Sequence, residues 1–409
     1  MADDRDLDVL LLGATGFTGG LVARRLAEEM GGRQGRWGVA GRRPGALREV
    51  LDGLADVDGA AASEPEVVEV DVTDDASLRR AAGRARVLAT TVGPYARLGR
   101  PVVDACVAEG THYADITGEP AFVEGLLREV HDDAVAAGVR VVNACGFDSV
   151  PHDLGALVTV RELPDDRPVE LQGYVSADGR FSGGTLASAL GAFAELGPRD
   201  LLGGLGGGSG SSTGAREGGR RVRAVRPSVR RVPEVRGWGV PMPTIDPVVV
   251  MRSARELEEY GPDFRYGHNL RLGNPVAAAG LGAGLGGVVA LAQLGPTRSL
   301  LERLVPSGSG PDAERRARSW FRVTMLGRTT DDGPEVKVRG EVRGGDPGYD
   351  ETSAMLAHSA LAMAHDDDLP DAAGVLTPAV GLGDALLRRL REHGMTFEVH
   401  DGWDDRSSA

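Results

Sequence analysis

The chain has 409 residues, 46 Lys plus Arg against 60 Asp plus Glu, a formal net charge of −14 and 2 cysteines. That length supports two or three domains, and the acidic balance argues against general nucleic-acid binding, which rests on neutralising phosphates. Cys106 and Cys145 are too few for a disulfide scaffold and fit a reducing cytosol; the acidic opening MADDRDLD has no apolar stretch, so no signal peptide is expected.

The apolar run Val9 to Leu12 predicts a buried strand. Gly13, Gly16 and Gly19 follow at intervals of three, and then Leu21, Val22, Leu26 and Ala27 recur with helical spacing. Strand, glycine turn and helix make the context that a dinucleotide fingerprint requires. Gly13 is expected to permit the tight turn, Gly16 to let a pyrophosphate approach the backbone, and Gly19 to let the helix lie close to the strand. The helix N–H groups would face the anion. Thr15, Phe17 and Thr18 share this turn as candidate cofactor contacts. A purely structural turn is the alternative in a chain with 60 glycines.

Trp37 to Ala40 predicts a second strand, ending in Gly41-Arg42-Arg43-Pro44. An acidic residue at this place would accept from the 2′-hydroxyl of NAD, whereas arginine matches the 2′-phosphate of NADP. Arg42 and Arg43 therefore favour NADP(H), against the alternative of two solvated surface arginines. Val67 to Val70 is a third strand, with Asp71 at its end placed to contact adenine. Val87 to Val92 is a fourth and runs into Gly93-Pro94-Tyr95. In doubly wound folds ligands lie beyond such strand ends, so Val92, Gly93 and Pro94 are candidate nucleotide contacts. A helix is predicted from Pro101, with Val102, Val103, Cys106 and Val107 on one face. Cys106 there reads as core, not as a nucleophile.

Thr111 to Glu119 predicts a short strand with a polar end, followed by a helix from Pro120. Val139 to Cys145 predicts another strand, running into Gly146-Phe147-Asp148-Ser149-Val150-Pro151. The repeated strand–helix units imply an α/β fold, a Rossmann-type doubly wound parallel sheet. The loops after these last strands would meet the substrate, which makes Asp115, Glu119, Phe147 and Asp148 candidate substrate contacts. Helix capping is the alternative for both aspartates. His112, His131 and His152 lack metal-ligand spacing with any cysteine pair, so no metal site is expected.

GATGFTG, AGR, TTVGPYARLG, ACVAEGTHYADITGE and NACGFDSVPHDLG, in this order, resemble the saccharopine dehydrogenase-like oxidoreductases. Within that group the chain most resembles the trans-acting enoyl reductases of actinobacterial lipid synthesis. The resemblance spans nearly the whole chain and is thin from about Pro198 to Ser309.

From about Pro168 the pattern changes. Val169 to Val175 predicts a strand of a second domain. Gly179 to Thr185 opens a helix, in which Ser182, Gly183, Gly184 and Thr185 could aim N–H groups and hydroxyls at a substrate carbonyl or carboxylate. An ordinary cap is the alternative; the resembled family shares an SGGT element here, which favours the substrate role. Gly203 to Gly219 is expected to be flexible. It leads to a basic patch of Arg216, Arg220, Arg221, Arg223, Arg226, Arg230 and Arg231, either a solvated loop or a landing site for lipid headgroups, a CoA-like phosphate or an acidic carrier protein. Pro275 to Leu294 carries no charge and is rich in Gly and Ala. It is read as buried or partner-facing, with an interfacial membrane or lipid contact and a true membrane span as the alternatives.

Two strands with apolar alternation follow. Phe321, Val323 and Met325 mark the first, and Val336, Val338 and Val342 the second, joined by a turn at Thr329 to Gly333. They predict antiparallel sheet with one wet face. A helix is predicted from about Gly348 to Ala364 and a last one from Gly383 to Glu392, and the resemblance implies that the final segment packs back on the nucleotide domain.

The expected organisation is an NADP-binding Rossmann domain at 1–152, an α+β domain of mainly antiparallel sheet for substrate and dimerisation at 153–369, and a C-terminal segment, 370–409, returning to the first. The site is expected in a cleft between the domains. The expected activity is that of a cytoplasmic NADPH-dependent oxidoreductase, a trans-acting enoyl reductase acting on a small-molecule or carrier-bound acyl group. Candidate proton or hydrogen-bond donors are Tyr95, first, then Tyr113, Ser149 and Thr185. An imine reductase of the saccharopine type and a non-catalytic NADP-binding protein at a lipid or membrane surface are the alternatives, and a homodimer is left open.

Overall fold

The structure, a computed structural model, describes residues 5–31, 36–57, 65–178, 220–242, 244–274 and 310–404. The expectations placed on Ser182 to Thr185, on 203–219 and on 275–294 lie outside these residues. Among the described residues no helix is long and apolar enough to cross a membrane. The chain divides into two compact units: Met1–Val150 with Gly308–Asp312 and Gly348–Gly394, and Pro151–Ser307 with Ala313–Pro347 and Met395–Ala409.

The first unit is built on a 7-stranded sheet. Its strands are β1 (Leu7–Leu12), β2 (Trp37–Gly41), β3 (Glu66–Glu69), β4 (Ala85–Thr90), β5 (His112–Asp115), β6 (Arg140–Val142) and β14 (Gly374–Leu376). They run in the order β3-β2-β1-β4-β5-β6-β14, every neighbour parallel. The order reverses between β1 and β4, so the loops after these two strands meet at a topological switch point. The crossover helices are α1 (Phe17–Met30), α2 (Pro44–Asp52), α3 (Asp75–Ala82), α4 (Tyr95–Glu109), α5 (Pro120–Glu129) and α6 (His131–Ala136). One face of the sheet buries Leu10, Leu12, Leu88, Tyr113 and Val141 with Leu78, Val102, Val103, Cys106 and Phe122 of the helices. Each such side chain contributes about 1.5–3 kcal/mol by leaving water.

Helix α4 begins six residues before the expected start at Pro101, which lies inside it. Its true start is capped from elsewhere: the Glu119 carboxylate accepts from the N–H groups of Tyr95 and Ala96, each at 2.8 Å. Helix α10 (Asp350–His365), expected in the second domain, belongs to the first unit, where it packs on α1, β1, β4 and β5. It is buried from Glu351 to Ala364, on every side, the mark of a core helix. Helices α11 (Pro378–Gly381) and α12 (Gly383–His393) follow β14.

The second unit holds an 8-stranded mixed sheet. Its strands are β7 (Val169–Asp178), β8 (Arg221–Ala224), β9 (Arg230–Val232), β10 (Gly237–Pro241), β11 (Asp263–Leu272), β12 (Trp320–Thr329), β13 (Lys337–Gly344) and β15 (Thr396–Asp401). The order is β15-β13-β12-β7-β11-β10-β9, with β8 beside β11. Among the described strands only β11 pairs in parallel, with β7 and β8. The tail therefore splits: β14 joins the first sheet, and β15 pairs with β13 in the second. The division drawn from sequence differs from the contacts at 308–312, 348–369 and 395–409.

The single wet face expected for β12 and β13 is not found. Met325 and Thr324, on opposite faces of β12, are 0% and 4% exposed. Helix α7 (Val150–Val160) lies so close to the sheet that a Cβ on Gly155 would meet Val342 Cγ2 at 2.8 Å. The opposite face is covered by Tyr174, Val232 and Trp403 around Leu326. Helices α8 (Asp246–Glu256) and α9 (Ala313–Arg318) complete the unit. Several arginines of the basic patch serve it structurally. Arg223 pairs with Asp263, Arg230 donates to Tyr174 Oη at 3.1 Å, and Arg220 donates to the Leu257 carbonyl.

Candidate active site

The glycine turn is set by backbone geometry. Gly13 has φ +100°, and a Cβ there would meet Thr91 Oγ1 at 2.7 Å and Val92 Cγ2 at 2.8 Å. A Cβ on Gly19 would run into the Gly13 carbonyl oxygen. Gly13 and Gly19 are thus fixed by the turn and by the fit of α1 against it. Gly16 differs: its Cβ would meet the Gly13 oxygen at 3.4 Å and nothing else within 4 Å. Among the described residues no side chain lies within 4 Å of that position. The N-terminus of α1 has no side-chain cap and no acidic residue in its first turn, which suits an anion. Thr15 is exposed and Thr18 half-buried. Phe17 has turned to packing, edge-on to Tyr349 at 4.9 Å.

Arg42 and Arg43 follow β2 directly and are both exposed. Asp71 follows β3 and folds back on its own turn, accepting from the Thr73 N–H at 2.9 Å and hydroxyl at 2.8 Å. These bonds, with a smaller pull from Arg42, hold its carboxyl below the usual carboxylate range. Thr91 and Val92, after β4, lie against Gly13, and the Thr91 N–H donates to the Leu12 carbonyl at 3.0 Å. Open turn, uncapped helix and paired guanidiniums lie at the carboxyl ends of neighbouring strands. That set of donors fits a phosphorylated dinucleotide.

Beyond β5 and β6 the sheet is tied together by one carboxylate. Asp115, fully buried, accepts from Tyr113 Oη at 2.9 Å, Thr117 N at 3.0 Å, Asn143 Nδ2 at 2.8 Å and Ala144 N at 2.9 Å. Burial pushes its carboxyl up to about 6, against the pull of those four donors. Its own carbonyl accepts from Cys145 N at 2.6 Å. Ala144 sits at φ 58°, a left-handed conformation that costs a residue with a Cβ about 1–2 kcal/mol. The bond to Asp115 helps to offset it, and the loop from Gly146 to Ser149 leaves β6 in a fixed direction.

Residues 9–142 match the family described as saccharopine dehydrogenase NADP binding domain. Over nearly the full length the chain is 36% identical to a Mycobacterium tuberculosis protein provisionally named a trans-acting enoyl reductase, covering 97% of this chain and 98% of that one. It is 33% identical to the trans-acting enoyl reductase of Mycobacterium ulcerans, covering 97% and 98%. Among solved structures, apo saccharopine dehydrogenase (L-Glu forming) from Saccharomyces cerevisiae superposes with a TM-score of 0.55 at 16% identity, covering 97% of this chain and 99% of that one. The chain belongs to the saccharopine dehydrogenase-like oxidoreductases, in the trans-acting enoyl reductase group. It is an NADP-dependent oxidoreductase, and the glycine turn lies within the matched domain.

In this trans-acting enoyl reductase relative, the expected donors are turned inward. Tyr95 is 6% exposed, and its hydroxyl donates to the Thr90 carbonyl at 3.1 Å. Burial, with Asp115 nearby, pushes the phenol well up. Tyr113 is committed to Asp115, and Ser149 Oγ donates to the Asp148 carbonyl at 2.6 Å. Glu119 caps α4 and Asp115 joins two strands, so both position the loops from within. Phe147 is buried, and its N–H donates to Thr352 Oγ1 at 3.1 Å. Asp148, like Glu119, is half-buried. Cys106 and Cys145 are buried, and burial pushes both thiols up, away from the reactive thiolate form.

Spacing along the chain did miss one constellation. His152, set aside for want of a cysteine pair, meets Asp246 and His268 in the second unit. Those partners lie on α8 and β11, about a hundred residues on. A histidine directly before an aspartate in an apolar helix start was the only local signal.

Proposed function

We propose that the chain reduces the α,β carbon–carbon double bond of an acyl thioester delivered by a separate carrier. Full-length likeness to relatives named trans-acting enoyl reductases, at 33% and 36% identity, carries this reading. It spans both units, whereas the glycine turn speaks only for the cofactor. The inward hydrogen bonds of Tyr95 and Tyr113 support a proton donor other than these two hydroxyls.

NADPH, when bound, supplies a hydride. The remaining work is that of the chain. Gly16 with the start of α1 would hold the pyrophosphate, in a turn shaped by Gly13 and Gly19; Arg42 and Arg43 would hold the 2′-phosphate, and Asp71 would border the adenosine side. Val92, Gly93 and Pro94 would border the nicotinamide side. Saturation of the double bond places hydride on the β carbon and a proton on the α carbon, and hydrogen-bond donors at the thioester oxygen stabilise the charge between these events. Asp115 and Glu119 keep the loops after β4, β5 and β6 in register for that task. Asp148 lies at the substrate rim.

The test is direct. Purified chain with NADPH and a 2-enoyl thioester, on CoA or on a carrier protein, should give the saturated thioester by mass spectrometry. NADPH deuterated at the transferred position should leave one deuterium on the β carbon. Turnover of an amino acid with a keto acid, and none of any enoyl thioester, would replace this reading with the imine one.

A further inference from the structure

In the second unit three buried polar side chains converge from separate elements. His152 comes from the first turn of α7, Asp246 opens α8 and His268 lies in β11. Their exposures are 1%, 1% and 6%. His152 Nδ1 lies 2.6 Å from Asp246 Oδ1, and His268 Nε2 lies 3.6 Å from Asp246 Oδ2. The imidazole rings are 4.9 Å apart at 75°. One ligand atom from each residue falls within 4.8 Å of the others.

We propose that His152, Asp246 and His268 bind one divalent transition-metal ion of the zinc class. Two imidazoles and one carboxylate are a donor set that zinc accepts, with an open position left over. Metal–ligand bonds of about 2.0–2.1 Å put tetrahedral donor atoms about 3.3 Å apart. The observed 2.6 Å and 3.6 Å, one to each oxygen of the same carboxylate, lie on either side of that spacing. The outer contacts orient the donors as metal ligands are oriented. Tyr266 Oη lies 3.4 Å from His268 Nδ1, which turns Nε2 towards Asp246. There Nε2, buried, has no hydrogen-bond partner. The Thr244 hydroxyl donates to the Asp246 carboxylate. Next to His152, Asp153 accepts from Ser253 Oγ at 2.6 Å and so fastens α7 to α8 from the same side. The ion would join α7, α8 and β11, which the chain brings together from distant positions.

Untagged full-length chain, stripped with a chelator, is titrated with Co²⁺ and then Zn²⁺. The expected result is one Co²⁺ per chain, with visible d–d bands and no thiolate charge-transfer band, displaced by Zn²⁺. X-ray absorption on the zinc-loaded chain should show two imidazoles per metal, and the unfolding midpoint should rise on loading. His268→Gln should lose stoichiometric uptake while its NADPH affinity, which reports an intact first unit, is unchanged. No uptake by the natural chain would overturn the proposal and leave a metal-free His152–Asp246 ion pair. Thiolate bands, fewer than two imidazoles, or equal uptake by His268→Gln would overturn it as well. Should that variant fail to fold, the absorption spectrum of the natural chain decides alone.

Discussion

Asp115 shows how a carboxylate at a strand end can be consumed by architecture. Its four donors come from β5, from the turn after it and from the end of β6. Burial nonetheless pushes the group up to about 6, whereas in the unfolded chain it titrates near 3.9. The folded state therefore holds this proton more tightly. Its contribution to stability is complete below about pH 4 and is lost as pH rises through about 6, about 3 kcal/mol in all. Denaturant titrations at pH 4 and pH 7 check this: the lead of the natural chain over Asp115→Asn should shrink by about that amount at the higher pH. A lead that grows with pH would mean that the four donors, not burial, set this group. Tyr95 was the first choice for proton donor because it follows a strand end. Its hydroxyl instead donates to the Thr90 carbonyl. Tyr95→Phe should cost about 1 kcal/mol of stability and leave kcat within about threefold. A hundredfold drop in kcat with NADPH affinity intact would return the phenol to the chemistry.

At the scale of elements, two glycines in one helix separate packing from propensity. A methyl at Gly19 collides with the Gly13 carbonyl, whereas one at Gly20 meets only the Ala14 oxygen at 3.6 Å. Gly19→Ala should destabilise the first unit by about 1–3 kcal/mol and weaken NADPH binding at least tenfold. Gly20→Ala should be neutral or stabilising by up to about 1 kcal/mol, as thermal unfolding and NADPH titration of both variants would show. The tail makes a second case. Phe397 of β15 is 5% exposed, and Trp403 Nε1 donates to the Gly327 carbonyl at 2.9 Å. Deletion of 395–409 strips the edge of β13 as well. It should cost the second unit about 3 kcal/mol or more and promote aggregation through the exposed edge, while NADPH affinity stays within about twofold. Equal loss of NADPH binding would contradict the assignment of the tail to the second sheet.

At the scale of the whole molecule, the parallel sheet was legible because each strand is a short apolar run closed by glycine or a polar turn. β1 with its three glycines is the plainest case. What remained hidden depends on contacts between distant residues. The start of α4 is set by Glu119, 24 residues downstream of Tyr95. Helix α10 follows second-domain strands in sequence, and only its apolar residues on every side point to the core of the first unit. The direction of a tyrosine hydroxyl cannot be read from spacing, which is why strand-end tyrosines were taken for donors. His152, Asp246 and His268 share no local motif and meet only through α7, α8 and β11.

The central claim is that the glycine turn and the arginine pair seat a phosphorylated dinucleotide. Calorimetric titration of the natural chain and of Arg42→Ala/Arg43→Ala with NADPH and with NADH tests it most directly. Charge-assisted bonds to the 2′-phosphate are worth about 1.5–3 kcal/mol. The natural chain should therefore bind NADPH at least tenfold more tightly than NADH, and the double variant should lose that preference with NADH affinity unchanged. Equal affinities in the natural chain, or a preference that survives removal of both arginines, would contradict the claim.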